Sequence, residues 1–222
     1  PRISKIWSDE ETRRLSYELW TAHRKEGPKL VRKPKITQTD IDQEPHEVVK
    51  MLMELCIEKQ DGDYHIGLTS SDIVDNVRIE QLARSVELIS REVIQVEFRL
   101  QQWCWRYRAF KCLGYTHLLP ATSTTMGGRF EHLSDALSLS SLGLQTFEPR
   151  FKGLNGPVGK GKPQGVPWYG AIQDHSNQTT DGWTYLDVAS QFATLSVYLN
   201  KLAQDMRYLV GTGELTMDSG VS

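Results

Sequence analysis

His117 stands in the stretch Lys111 to Thr125, KCLGYTHLLPATSTT, with Thr116 before it and Pro120 shortly after. Imidazole titrates near neutrality, so a histidine held in such a segment can give or take a proton during turnover. His46 and His65 also stand beside expected helix or turn boundaries. Thr69, Ser70, Ser71 and Asp72 precede a long apolar repeat, where short hydroxyls and a carboxylate suit a helix N-cap. The same hydroxyls, with the free N–H groups of a helix start, also suit a carboxylate cradle. The two readings are compatible, because a cap with spare donors is an anion site. Three histidines at element ends, beside Thr and Ser clusters, point to one shared site. No two of them have ligand spacing on one helix, so neither a metal centre nor another cofactor is expected.

Gly156 to Lys162, GPVGKGK, places Gly156, Gly161 and Lys162 at the spacing of a phosphate-binding loop. Pro163 then stands where Ser or Thr would bind magnesium, and no strand pattern precedes the run. A glycine-rich turn is the better reading, with contact to a phosphate or carboxylate from Lys160 or Lys162 left open.

The elements that must position these groups are helical. Ile79, Leu82, Val86, Ile89, Val93, Val96, Leu100, Trp103, Tyr107 and Phe110 follow a heptad alternation that predicts one long helix with a single apolar seam. Met126, Phe130, Leu133, Leu137, Leu144 and Phe147 repeat it, with Ser140 the polar intruder. Tyr185 to Leu209 carries a third run. His117 therefore lies in a Gly- and Pro-marked break between two long helices. Ser8 caps a helix from Asp9 to about Lys25, and a second amphipathic helix spans about Glu44 to Lys59, with His46 near its start. Between them, through Ile41, the basic and Pro-marked segment reads as a solvated connector, and Lys152 to Pro167 reads as an irregular loop. Three narrow seams cannot bury themselves well alone, which implies a larger bundle or an oligomer.

Lys and Arg number 26 against 28 Asp and Glu, a net charge of −2, so no basic field argues for nucleic acid. Three cysteines without metal spacing read as reduced thiols of a cytoplasmic protein. No apolar run approaches the roughly 20 residues of a membrane span, so no membrane partner is expected. The small, polar end GTGELTMDSGVS carries no terminating feature, and a longer protein is expected to continue past Ser222.

HIGLTSSDIVDN (65 to 76), GYTHLLPATSTT (114 to 125) and ISKIWSDE (3 to 10) together resemble adenylosuccinate lyase, of the fumarase/aspartase superfamily. The resemblance implies an all-α protein, with a small N-terminal helical domain over 1–71 and the first part of a central long-helix bundle over 72–222. It also implies a homotetramer whose active sites draw on three subunits. The implied reaction is a β-elimination that releases fumarate from a succinylamino purine nucleotide, as in purine biosynthesis. His117 would be the general acid and His46 the supporting histidine. Thr69 and Ser70, with Ser71 in the same cradle, would bind the succinyl carboxylate, and Thr116 and Gln178 would line the pocket. The general base would be a serine on a mobile signature loop, of which Gly220-Val221-Ser222 stands as a possible beginning.

Departures from the family pattern fall on nucleotide recognition. Pro45-His46-Glu47 stands where Arg-His-Asp is usual, and Leu119 where the family has Gln. Asp181-Gly182-Trp183-Thr184 replaces an Arg-containing segment. The alternatives are a catalytically inactive scaffold of the same fold, or another fumarate-releasing member of the superfamily.

Overall fold

The computed structural model describes residues 2–27, 32–159 and 165–216. Among them the order is α1 (Ile3–Ile6), α2 (Asp9–Glu26), α3 (Gln38–Gln43), α4 (Glu47–Lys59), α5 (Ser70–Arg106), β1 (Lys111–Thr116), β2 (Leu119–Thr125), α6 (Met126–Gln145), β3 (Arg150–Phe151), β4 (Ala171–Ile172) and α7 (Trp183–Gly211). The fold is mostly helical, as the three heptad runs require.

The chain divides into two compact units, residues up to 88 with 147–185, and 89–146 with the residues from 186 on. The first turns of α5 and the loop from 147 to 182 are built together with the N-terminal helices, because a buried polar cluster and shared apolar side chains join them.

In the first unit Leu15, Leu19 and Trp20 of α2 meet Leu55 and Cys56 of α4 and Ile73 and Val77 of α5 in one core, which Leu154 completes. Burial pushes the Cys56 thiol up to about 11, so it behaves as a small apolar filler. α2 begins as its sequence predicts: the Ser8 side chain accepts from the Glu11 N–H at 3.2 Å, with Asp9, Glu10 and Glu11 in the first turn. Gln81 of α5 donates to the Ile6 carbonyl and to the Thr12 hydroxyl, both at 2.9 Å, which fixes α1 and α2 on the long helix. α3 begins inside the segment expected to be a connector and runs two residues past its end at Ile41. Its Thr37 and Asp40 form a capping box, the signal the basic composition obscured.

In the second unit Met126, Phe130 and Leu133 of α6 meet Leu209 of α7, with Leu100, Trp103 and Tyr107 of α5 packed against them. Trp103 meets the Phe130 ring edge-on at 5.0 Å. A Cβ at Gly127 would lie 2.2 Å from the Cys104 carbonyl oxygen, so α6 starts against the end of α5 at a distance only glycine permits. Glu97 of α5 accepts from Ser138 at 2.6 Å and Ser141 at 3.2 Å, setting the register of the two helices. The long seam is not covered throughout: Val86 and Val93 are buried, whereas Val96 and Phe110 remain 42% and 59% exposed.

The break around His117 is a β-hairpin rather than an irregular loop. β1 and β2 pair antiparallel, with Lys111 opposite Thr125 and Thr116 opposite Leu119. The Met126 N–H bonds the Phe110 carbonyl at 2.9 Å and closes the hairpin at its base. Strand-forming Thr, Tyr and Leu on either side of a two-residue turn account for the pairing.

Candidate functional site

The N-terminus of α5 carries the hydroxyl cluster. Thr69 precedes the first helical residue and donates its N–H to Asp72 Oδ2 at 2.8 Å, so Asp72 fills the capping role that the sequence shared among four residues. Among the described residues the hydroxyls of Thr69, Ser70 and Ser71 have no hydrogen-bond partner, and none of the three is buried. They are solvent-accessible hydroxyls at the start of α5.

Asp72 itself is fully buried and paired with Lys152, whose ammonium is also fully buried. The Asn155 N–H bonds Asp72 Oδ1 at 3.2 Å and the Gly156 N–H bonds Oδ2 at 3.1 Å. Gly156 has φ +73°, and a Cβ there would meet the Gly67 carbonyl oxygen at 2.7 Å, so glycine is required. Lys152 and Asn155 lie in the segment expected to be an irregular loop. The lone lysine before a Gly-Leu-Asn-Gly turn was their only local signal.

Gln178 lies exposed in the loop between β4 and α7. That loop is anchored on both sides of it: Asn155 donates to Ser176 Oγ at 2.6 Å, and the Thr180 N–H donates to Asp75 Oδ2 at 2.8 Å. Thr69, Ser70, Ser71 and Gln178 thus belong to segments tied to the same first turns of α5.

His46 is the N-cap residue of α4, exposed, and its imidazole does not cap the helix. Its backbone N–H bonds Glu44 Oε1 at 3.0 Å. Pro45 precedes the N-cap and lies outside the helix, which starts at Glu47 and not at Glu44. His65 is tied more firmly. Trp20 donates its indole N–H to His65 Nδ1 at 3.0 Å, and the Leu68 N–H bonds the His65 carbonyl at 3.2 Å, just before Thr69. Burial holds this imidazole below its ordinary range, with Asp72 opposing and His23 adding to the shift. Since Nδ1 accepts, the neutral ring keeps its proton on Nε2.

Thr116 and His117 belong to the second unit, at the tip of the β1–β2 hairpin. His117 and Leu118 form the two-residue turn with φ of +52° and +62°, left-handed values that type I′ geometry demands and that neither side chain favours. Both side chains are exposed. From the start of α6, Arg129 donates to the Leu113 carbonyl of β1 and pairs with Glu214 at 3.1 Å. The hairpin is braced at its stem while its tip presents the imidazole. The lysines of the glycine-rich run, Lys160 and Lys162, and the possible beginning of a signature loop, Gly220-Val221-Ser222, lie outside the described residues.

Among the described residues no group of three or more His, Cys, Asp or Glu is arranged to hold a metal, and no helix is long and apolar enough to cross a membrane. An imidazole is chemically able to transfer a proton, and hydroxyls with helix-end N–H groups are able to bind an anion.

No protein-family model matches the chain. It is 26% identical over 175 residues to adenylosuccinate lyase of Schizosaccharomyces pombe, covering 69% of this chain and 36% of that protein. With adenylosuccinate lyase of Pyrococcus horikoshii it shares 34% identity over 94 residues, 42% of this chain and 20% of that one. Methanocaldococcus jannaschii adenylosuccinate lyase is 29% identical over 152 residues, 59% of this chain and 33% of that one. The chain therefore spans about a third or less of the length of these relatives. Among solved structures, the 3-carboxy-cis,cis-muconate lactonizing enzyme of Pseudomonas putida superposes with a TM-score of 0.72 at 18% identity, over 93% of this chain and 56% of that one. A fumarate lyase from Mesorhizobium gives 0.70 at 16%, over 94% and 57%. By sequence the chain is a divergent, partial relative of the adenylosuccinate lyases, and its fold is that of the fumarase/aspartase lyases.

Proposed function

We propose that the chain is part of a lyase that releases fumarate by β-elimination from a succinylamino purine nucleotide. The observation that carries this reading is the set of hydroxyls of Thr69, Ser70 and Ser71. They stand without partners at the N-terminus of α5, in the motif that resembles adenylosuccinate lyase. Elimination needs a proton removed beside a carboxylate while the leaving nitrogen is protonated. The electron pair left on carbon is delocalised into the carboxylate, where hydroxyls and N–H groups stabilise the growing charge.

In this reading Thr69, Ser70 and Ser71 bind the succinyl carboxylate, and Thr116 and Gln178 line the pocket. His117 is the general acid at the leaving nitrogen, with His46 supporting it. The active sites in this reading are assembled from several subunits of a homotetramer acting in the cytoplasm. The base is a serine supplied from beyond the described residues. No metal or other cofactor enters the reaction.

A second reading keeps the reaction type and changes the substrate. Leu118 and Leu119 are 75% and 67% exposed beside His117, an apolar surface that suits a leaving group other than a nucleotide. A catalytically inactive scaffold of the same fold is the third possibility. The test is direct: purified full-length protein is mixed with succinylamino nucleotides, and both fumarate and the change in purine absorbance are followed. Fumarate without a purine change, from a different succinylated amine, supports the second reading. Neither signal from any succinylated amine rejects both enzyme readings.

A further inference from the structure

We infer that Asp72 and Lys152 act as a buried positioning pair that couples the Thr69–Ser71 hydroxyl cradle to the Gln178 loop, so that the two bind a carboxylate-bearing substrate as one rigid unit. The functional part of this inference rests on the lyase reading.

Two fully buried charges are costly to desolvate, and well-packed apolar side chains of similar volume often serve stability as well or better. Their placement points to another use. Asp72 ties two segments together: Oδ1 accepts from Lys152 and the Asn155 N–H, and Oδ2 from the Gly156 N–H of the same turn and from the Thr69 N–H at the start of α5. Thr69 is the candidate carboxylate contact, and Asn155 continues the chain of bonds through its side chain to Ser176 Oγ at 2.6 Å, two residues before Gln178. The other side of that loop returns to α5 where the Thr180 N–H meets Asp75. Asn76 locks the same turn, donating to the Gly153 carbonyl at 3.0 Å and accepting from its N–H at 3.1 Å.

Neutralising Lys152 leaves Asp72 as a buried, less compensated carboxylate. Loss of that charge partner loosens the frame that holds Thr69 and the 155–156 turn. Neither Asp72 nor Lys152 needs to touch substrate, because both act through the groups they hold.

The experiment compares the wild type with Lys152→Met and with the charge-free double variant Asp72→Asn/Lys152→Met, which folds without an unpaired buried charge. Residue-resolved hydrogen exchange is read first, without substrate. The coupling predicts at least a tenfold faster exchange at Thr69, Asn155, Gly156 and Thr180 together in Lys152→Met. In the double variant the rise is about threefold at Thr69 and Thr180, while the α4 amides from Met51 to Cys56 are unchanged in both. A rise confined to Asn155 and Gly156, or one spread evenly over α4 as well, overturns it.

Steady-state kinetics on a succinylamino nucleotide form the second arm, with full-length protein. KM should rise about tenfold and kcat should fall with it, because the displaced hydroxyls both bind the carboxylate and stabilise its growing charge, while the pH profile set by the proton donor is unchanged. A kcat/KM within twofold of wild type in a variant that shows the coupled exchange overturns the functional part. If the wild type releases no fumarate, the lyase reading fails, and the exchange data still decide whether the pair couples the two segments.

Discussion

Trp20 donates its indole N–H to Nδ1 of His65 at 3.0 Å, which leaves the neutral imidazole with its proton on Nε2. Burial lowers the pKa of this histidine in the fold, with a smaller contribution from His23 against the opposing charge of Asp72. A lowered histidine pKa means that the unfolded chain binds the proton more readily. Its contribution to stability is therefore complete above the unfolded value of about 6.5 and is lost as pH falls from there through the folded value. Urea midpoints measured between pH 8 and 5 should decline on acidification in the wild type. The slope should be shallower in His65→Gln. An equal slope in both proteins would show that His65 does not carry the effect.

His117 is predicted to act on the reaction and not on the fold. It is exposed at the hairpin tip and supports no core side chain. His117→Ala should lower kcat by about 10² to 10⁴, the usual range for a general acid, with the far-ultraviolet circular dichroism and melting temperature little changed. A rate within a few-fold of wild type would remove His117 from that role.

Leu118 is held at φ +62° while 75% of its surface is exposed, so it bears the strain of the turn with little burial in return. A left-handed non-glycine residue costs roughly 1–3 kcal/mol, and the extra freedom of glycine in the unfolded chain takes back about 0.5–1 kcal/mol. Leu118→Gly should therefore stabilise the protein by on the order of 1 kcal/mol in urea unfolding. A destabilised variant would mean that Leu118 makes contacts in the assembled protein that offset its strain.

Two glycines should respond in opposite ways to the same change. At Gly127 a Cβ would lie 2.2 Å from the Cys104 carbonyl oxygen and 2.9 Å from the Arg108 nitrogen, so Gly127→Ala must part α6 from α5. A loss of about 2–4 kcal/mol is expected, in line with other overpacked sites. At Gly211, the last residue of α7, nothing lies within 4 Å, and Gly211→Ala should be neutral or stabilise by a few tenths of a kcal/mol up to about 1 kcal/mol. Thermal melts of the two variants distinguish close approach from a general dislike of substitution.

Helices were legible where a local rule sufficed. Ser8 with Asp9, Glu10 and Glu11 marks the start of α2 to the residue, and the heptads mark α5, α6 and α7. The hairpin was not legible, since Gly114 and Pro120 read as punctuation. Its strands exist because the Phe110 carbonyl and Met126 N–H meet across the converging ends of α5 and α6. α3 was hidden by its charged neighbours, although Thr37 and Asp40 carry a capping signature.

For the candidate site, residue types alone singled out His117, His46 and the Thr69–Ser71 cluster, because imidazoles and hydroxyls at element boundaries form patterns within a few residues. Gln178 came from the family resemblance. Tertiary structure alone decided that Asp72 is occupied by Lys152 from 80 positions away, that Trp20 fixes the tautomer of His65, and that Ser176 and Thr180 hold the Gln178 loop to α5. Helix periodicity and capping are properties of neighbours along the chain, so the sequence by itself determined them. A buried charge takes whichever partner the folded chain brings to it, and that partner is fixed only when distant segments pack.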